Sequence, residues 1–238
     1  MNLNLKLALA TIYIICLGVL LFFVFSNLEL RNLTNYTYIK DITSNFLAYK
    51  SANLLLFTLS FILISILWIF LLGFGSPIVI VAGFLYGKWF GTILCILSFS
   101  IGSSFLYLFA QVYFKNLILN FLESKIKKFK DLFNKNEFLY FMLFRLAGGG
   151  GLPFPIQNLL PIVFNMKVKN YFYATFLGLA PSTFIVCSLG SGIESLIKNN
   201  DSITYFDVIL SPEIYLPIIA FLSIFICAYL VNKKFFKK

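Results

Sequence analysis

Long apolar stretches alternate with short polar segments along the whole chain. They fall at about 7–25, 53–87, 89–114, 138–165, 170–190 and 213–231. A helix needs roughly 20 predominantly apolar residues to cross a bilayer, and four of these stretches suit one crossing each. The pattern therefore predicts an all-α polytopic membrane protein. We divide it into an N-terminal helix with an outer loop, a core, and a C-terminal segment with a last helix and a basic tail, at 1–52, 53–195 and 196–238.

Two of the stretches contain residues that interrupt helices. The stretch at 138–165 holds the glycine run Gly148–Gly151 and three prolines, and the stretch at 53–87 is interrupted between Gly73 and Pro77. Glycine and proline are the least favourable residues inside a helix. We expect each stretch to form a broken helical hairpin that enters and leaves the bilayer by the same face. The stretch at 53–87 is also long enough to cross twice with tilt.

The positions of the basic residues predict the orientation. Lysines are concentrated at 115–135 and at 233–238, whereas the segment 191–212 holds one lysine among several acidic residues. Because cytoplasmic loops carry an excess of Lys and Arg, the two lysine-rich segments and the N-terminus are predicted to be cytoplasmic and 191–212 to be an outer loop. The two hairpins then enter from opposite faces, and the short, loop-poor chain suits a bacterial plasma membrane.

An internal repeat relates the two interrupted stretches. An alignment at a constant offset pairs Pro77–Gly87 with Pro155–Asn165. The same alignment, extended without gaps, pairs Gly102–Ser104 with Ala180–Ser182. Clusters of small residues within membrane helices allow close helix approach. The correspondence predicts an inverted repeat of a re-entrant hairpin followed by a transmembrane helix, an arrangement found in many transporters. Chance alignment of apolar sequence is the alternative.

Composition and charge exclude several classes of protein. Apolar residues make up 60% of the 238 residues and charged residues 12%, with a net charge of +10, so the chain cannot build a surface of normal polarity in water. The lysines flank apolar stretches, which favours lipid headgroups over nucleic acid as their partners. The chain has no histidine, and its cysteines are isolated within apolar stretches, which indicates small core residues rather than disulfides or metal ligands. These are Cys16, Cys95, Cys187 and Cys227.

Arg145 is the basic residue with the most unusual setting, because apolar residues surround it directly before the glycine run. An ionisable residue inside a membrane segment indicates function. Its planar fork suits a phosphate or carboxylate, nearby amides donate to oxygens, and glycines let backbone approach a ligand. The candidate substrate-binding residues are Arg145, Gly149, Gly150, Pro153, Pro155, Gln157 and Asn158 in the second hairpin and Ser76 and Pro77 in the first. In the alternative interpretation, Arg145 extends to the headgroups and the amides satisfy only broken backbone.

The sequence offers little for catalysis. No acidic residue lies in the middle of an apolar stretch, and histidine is absent. General acid–base chemistry and a carboxylate proton relay therefore lack their usual groups. We predict that the protein is not an enzyme and needs no cofactor or metal.

The segment 115–137 alternates lysines with phenylalanine and leucine. This pattern is typical of an amphipathic helix whose apolar face enters the headgroup boundary. A solvated connector is the alternative.

The motifs around both breaks resemble a known family. The string Gly-Phe-Gly-Ser-Pro-(x)4-Ala-Gly-Phe-Leu-Tyr-Gly at 73–87 resembles the first half of the DedA superfamily, specifically its SNARE-associated Golgi branch, also called the VTT domain. The second half of the domain is similar in having Phe-Arg at 144–145, a proline-rich break and Asn158. The resemblance covers about 55–195.

This resemblance implies re-entrant helices in an inverted repeat, and roles as flippases, scramblases or transporters, including handling of undecaprenyl phosphate in bacteria. The family's second-hairpin arginine and asparagine correspond to Arg145 and Asn158. Two features depart from the family: Gly148–Gly151 stands where relatives usually have a proline soon after the arginine, and the first hairpin lacks the acidic residues of many members. The second departure argues against proton coupling.

Together these features predict a membrane transporter or scramblase that moves an anionic lipid or small anion past the two hairpins, with Arg145 contacting the anionic group. The alternative is a non-transporting assembly or trafficking protein that docks through 115–137. In that case 115–137 would matter more than Arg145.

Overall fold

The computed structural model describes residues 36–126, 133, 135–199 and 210–235, together with isolated positions between 11 and 22. Within these ranges the chain is helical and contains no strand, which confirms the all-α prediction. The predicted first transmembrane helix at 7–25 lies largely outside the described residues. The chain divides into two units, 1–59 and 60–238, and the second contains both helix breaks.

The helices follow one another with short connections. They are α1 (Tyr36–Ala52), α2 (Leu54–Leu72), α3 (Ser76–Tyr113), α4 (Lys115–Ile126), α5 (Glu137–Leu146), a 3₁₀ turn (Gly148–Gly151), α6 (Phe154–Leu159), α7 (Pro161–Phe164), α8 (Val168–Asn199) and α9 (Pro212–Phe235). Three of them are long and apolar enough to cross a membrane, over Leu54–Leu71, Ser76–Tyr113 and Val168–Lys198. The three short helices α5, α6 and α7 are each well below the roughly 20 residues that a crossing needs.

The first break separates α2 from α3. Gly73 has a φ of 70°, which a residue with a side chain rarely adopts, and α3 begins at Ser76 with Pro77 in its first turn, where a missing N–H costs nothing. A second interruption lies within α3, where Gly87 has a φ of 75° and a ψ of 171°. The arm from 76 to 86 is therefore short and helical, and it is bounded by non-helical backbone at both ends.

The second break is built from consecutive glycines and prolines. All four residues of Gly148–Gly151 have positive φ, so the chain reverses tightly after α5. Pro155 and Pro161 occupy the first turns of α6 and α7. The arm ends at Asn165, which has a φ of 51° and is the one described residue other than glycine with a positive φ. Asn165 is the position that the sequence repeat pairs with Gly87, and both residues end a short arm.

Helix α8 packs along α3 and α5 and holds the second unit together. A Cβ on Gly83 would lie 2.0 Å from the carbonyl oxygen of Cys187, and a Cβ on Gly190 would lie 2.0 Å from that of Ile80. The two helices therefore approach backbone to backbone. Cys95 and Cys187 are buried and free in this region, as predicted. Cys16 and the side chain of Cys227 lie outside the described residues.

Three predicted details differ from the structure. The segment predicted as an outer loop from 191 remains helical to Asn199, and the predicted outer loop before residue 53 contains α1. Close helix approach occurs at Gly102, as expected, but Pro181 in the matching cluster is exposed. The close contact on α8 falls instead at Gly178, whose Cβ would lie 2.5 Å from the Cβ of Arg145. Apolar sequence signals a membrane helix well but does not fix where the helix ends.

The lysine-rich segment 115–137 is helical over Lys115–Ile126. Residues 127–132 lie outside the described part, so the predicted surface helix stays a prediction over the rest of its length.

Candidate functional site

Arg145 lies at the end of α5 and is buried, with only 1% of its surface exposed. Asn136 caps the helix by accepting a hydrogen bond from the N–H of Leu139 at 3.0 Å, which fixes where the helix starts. Gly178 on α8 provides the space that the arginine stem needs. The interpretation in which Arg145 extends to the headgroups therefore does not hold.

The guanidinium is hydrogen-bonded to neutral groups. Its Nη1 donates to Gln157 Oε1 at 3.2 Å, and its Nη2 donates to Asn158 Oδ1 at 2.5 Å. Nη2 also lies 3.3 Å from the hydroxyl of Tyr171. The Nε is buried without a hydrogen-bond partner among the described residues. Three elements thus meet at one cation: α5 supplies it, α6 supplies two amides, and α8 supplies a phenol.

Aromatic rings cover the guanidinium. Its Cζ lies 5.0 Å from the ring centre of Phe141 and 4.9 Å from that of Phe154. Cation–π contacts of this kind stabilise a buried cation through the negative faces of the rings. No acidic side chain in the described part of the chain forms an ion pair with Arg145. Within the described residues, the partners of the guanidinium are therefore neutral amides, a phenol and aromatic rings.

Asn158 connects this cluster to the first break. While its Oδ1 accepts from Arg145, its Nδ2 donates to the carbonyl oxygen of Gly73 at 3.2 Å. Pro155 also packs on Gly73, since a Cβ there would lie 3.1 Å from the Cβ of the proline. The two interruptions, far apart in sequence, are thus in direct contact.

Gln157 supports the glycine turn as well as the arginine. Its Nε2 donates to the carbonyl oxygens of Leu152 at 2.7 Å and Gly148 at 3.4 Å. A Cβ on Gly149 would lie 2.0 Å from Gln157 Cδ, so the amide fits only because this residue is a glycine. Gln157 therefore does satisfy broken backbone, as one interpretation of the sequence expected, but it also contacts the arginine.

The structure brings together most of the predicted site residues. Arg145, Gly149, Gln157 and Asn158 form one buried cluster, and Pro155 lies between the two breaks. Gly150, Pro153, Ser76 and Pro77 are exposed. None of these four is a hydrogen-bond partner of Arg145, although they shape the turns that hold the cluster.

Sequence reasoning missed Tyr171 and the two aromatic rings. Tyr171 is fully buried, and its ring lies 5.2 Å from that of Tyr107, whose hydroxyl donates to the carbonyl of Met166 at 2.6 Å. The one available signal was spacing, because Tyr171, Thr175 and Gly178 recur on a single face of α8. Phe141 and Phe154 gave no signal among the many phenylalanines of the chain.

In the described part of the chain, these features define a helical membrane protein in which two broken helices meet at a buried arginine with neutral partners. The VTT domain matches residues 72–192, a range that includes both breaks, Arg145 and most of α8. The chain belongs to this family, as the sequence motifs predicted, and it is an integral membrane protein.

Several similar proteins are named transmembrane protein 41 homolog or transmembrane protein 41B. The transmembrane protein 41 homolog of Caenorhabditis elegans is 24% identical over 151 residues, which cover 61% of each chain. Transmembrane protein 41B of mouse and that of human are each 27% identical over 162 residues, covering 66% of this chain and 54% of the relative. The chain thus spans less than two thirds of the length of these relatives. No solved structure matches it significantly.

Proposed function

We propose that this protein is a membrane transporter or lipid scramblase that moves an anionic lipid or a small anion past the two helix breaks. Arg145 contacts the anionic group. The observation that carries the proposal is the burial of a guanidinium whose partners in the described structure are all neutral.

Burial of the Arg145 guanidinium carries an energetic cost. Removing a cation from water costs several kcal/mol, and neutral hydrogen bonds offset only part of this cost. Proteins usually place a carboxylate beside a buried arginine for this reason. In our proposal, an anion from solution or from a lipid headgroup supplies the missing charge at Arg145, and phosphate fits the planar fork of the guanidinium.

The backbone supports a path for the anion. Non-helical backbone at membrane depth is tolerated where protein covers it or where it lines a cavity. We infer that 53–87 and 138–165 are re-entrant hairpins of an inverted repeat. The paired positive φ values at Gly87 and Asn165, the short arms before them, and the contact between the two breaks support this arrangement. Substrate sites at such repeat interfaces are common in transporters.

The lysine distribution supports an orientation with both termini and α4 on the cytoplasmic side, and the short, loop-poor chain supports a bacterial plasma membrane as the location. The partners in this proposal are membrane lipids and the transported anion. The role is transport rather than catalysis, because the cluster offers one cation, amides and a phenol but no carboxylate or imidazole to move protons.

The test is transbilayer movement in proteoliposomes. Fluorescent phospholipid, a polyprenyl phosphate and radiolabelled inorganic phosphate are tested separately, so that lipid and free anion are distinguished. We expect Arg145→Ala to abolish movement of the substrate. Arg31→Ala, which changes the other arginine of the chain, and a variant with the lysines of 115–137 replaced by glutamine should retain it.

Two results would overturn the proposal. Failure of the correctly folded wild-type protein to move any of the three substrates would exclude this role for them. Loss of movement in the lysine variant with full movement in Arg145→Ala would favour docking through 115–137.

A further inference from the structure

Asn158 holds two contacts at once, and they belong to different parts of the molecule. Its Oδ1 accepts from Arg145 Nη2 at 2.5 Å, and its Nδ2 donates to the Gly73 carbonyl at 3.2 Å. The side chain is fully buried. Because Oδ1 and Nδ2 are fixed to the same Cγ, rotation about the Cβ–Cγ bond that takes Oδ1 away from Arg145 also takes Nδ2 away from Gly73.

Two amide oxygens accept hydrogen bonds from the guanidinium of Arg145 in the positions that the two oxygens of an anion would take. Gln157 Oε1 accepts a hydrogen bond from Nη1, and Asn158 Oδ1 accepts one from Nη2. Two separate oxygens therefore bind the two terminal nitrogens of the guanidinium. Carboxylates and phosphates bind arginine with the same bidentate geometry, and they add a negative charge that the neutral amides lack. The amides are therefore internal substitutes that a suitable anion can displace.

We propose that an oxyanion presenting two oxygens, such as a phosphate monoester headgroup, displaces Gln157 and Asn158 from Arg145 and thereby releases the first break. This inference rests on the proposed function and adds the coupling between anion capture and the contact of the two breaks. The unpartnered Nε of Arg145 offers a further donor to the incoming anion. A monatomic anion presents one atom only, so it displaces the longer contact, from Gln157, and leaves the shorter one, from Asn158, in place.

Trp68 contacts the first break, so its fluorescence can report on the structure there. Trp68 Nε1 donates to the carbonyl of Phe74 at 2.9 Å, and its ring centre lies 5.6 Å from that of Phe74. Phe74 directly follows Gly73, so release of Gly73 changes the surroundings of the indole. The second tryptophan of the chain, Trp89, is 70% exposed and packs on Phe184. The variant Trp89→Phe therefore leaves Trp68 as the sole tryptophan.

The experiment uses the full chain carrying Trp89→Phe in nanodiscs of phosphatidylcholine. Dihexanoyl phosphatidic acid is titrated in, with chloride as the monatomic comparison. Calorimetry measures binding, and the emission maximum of Trp68 measures the state of the first break. We expect the phosphatidic acid to bind and shift the emission, and chloride at equal ionic strength to cause no shift.

Two variants separate the roles of the amides. Asn158→Asp keeps an acceptor for Arg145 but cannot donate to Gly73, and its carboxylate competes with the ligand. We expect Trp68 to show the shifted emission before ligand is added, and binding to weaken at least about tenfold, which corresponds to about 1.4 kcal/mol. Gln157→Met is the matched control. It removes an amide that does not contact Gly73 and that competes with the anion for Nη1, so binding should not weaken and the shift at saturation should remain.

The outcomes separate the two proposals. Binding of phosphatidic acid without any shift of Trp68 would overturn the coupling and leave the proposed function intact. A shift of equal size with chloride would overturn the requirement for two oxygens. No binding by the folded protein would overturn the anion site itself and the coupling with it.

Discussion

Glycine and proline interrupt the helix at both breaks, but the side chains around the two breaks differ in chemistry. The break at 73–75 consists of Gly73, Phe74 and Gly75 and carries no charge. The indole of Trp68 donates a hydrogen bond to the carbonyl of Phe74, and the ring of Phe99 packs on Gly75. The break at 147–153 contains four glycines with positive φ and is held by Gln157, which in turn contacts Arg145. Glycine and proline decide that both helices stop. The side chains around them decide that one break is apolar and the other is cationic.

The comparison also shows why the two breaks depend on each other. In the apolar break, the carbonyl of Gly73 cannot accept the usual helical hydrogen bond, because the residue four positions later is Pro77, which has no N–H. A buried carbonyl left without a donor costs about 1–3 kcal/mol. Asn158 of the polar break supplies that donor. The uncharged break therefore receives its hydrogen bond from the break that contains the charge, and we expect a structural change in one break to alter the other.

The largest effect is expected from Gly149→Ala, because it disturbs the polar break in two ways. The residue has a φ of 70°, which costs about 1–2 kcal/mol for alanine, and its new Cβ would lie 2.0 Å from Gln157, which adds about 1–3 kcal/mol of overpacking. We expect destabilisation of about 2–5 kcal/mol, measured by unfolding in mixed detergent–dodecyl sulfate micelles.

Gly150→Ala is the matched control for this substitution. Gly150 has a φ of 62°, but the nearest atom to its Cβ is 3.4 Å away, so only the backbone cost of about 1–2 kcal/mol remains. Equal destabilisation by the two variants would mean that the contact with Gln157 does not constrain the turn.

A smaller effect is expected in the apolar break from Gly75→Ala. Here φ is −119°, which alanine adopts freely, but the Cβ would lie 2.3 Å from the ring of Phe99. Overpacking should cost about 1–3 kcal/mol in the same unfolding measurement. Adding Phe99→Leu should recover part of that loss, since the smaller side chain removes the ring edge. Strictly additive effects in the double variant would contradict a direct contact.

The smallest effect is expected from removing single hydroxyls. Tyr171→Phe and Tyr107→Phe should each destabilise by about 1 kcal/mol, the usual value of one hydrogen bond. Only Tyr171 contacts the guanidinium, at 3.3 Å, whereas Tyr107 donates to the carbonyl of Met166. We therefore expect Tyr171→Phe alone to change the Kd for phosphatidic acid, by a fewfold. A similar change in Tyr107→Phe would show that the aromatic pair acts as one unit.

Much of the fold and part of the site follow from sequence patterns. Runs of apolar residues predict the membrane helices, and the combination of Gly73 to Pro77 and of Gly148 to Pro155 predicts both breaks, because these residues act through local backbone sterics. Arg145 is recognisable as a charge in an apolar setting. Tyr171, Phe141 and Phe154 escaped prediction, since aromatic residues are abundant here and only packing selects among them.

The sequence by itself determined where the long apolar helices form, where glycine and proline break two of them, and which cation is out of place, because each depends on local propensity or on transfer from water to lipid. The tertiary structure alone decided that Arg145 is buried rather than extended to the headgroups, that its partners are two amides and a phenol, and that Asn158 reaches Gly73. These contacts join residues from α5, α6 and α8 with Gly73 in the break that follows α2. They depend on the packing of whole helices, which the order of residues along the chain does not reveal.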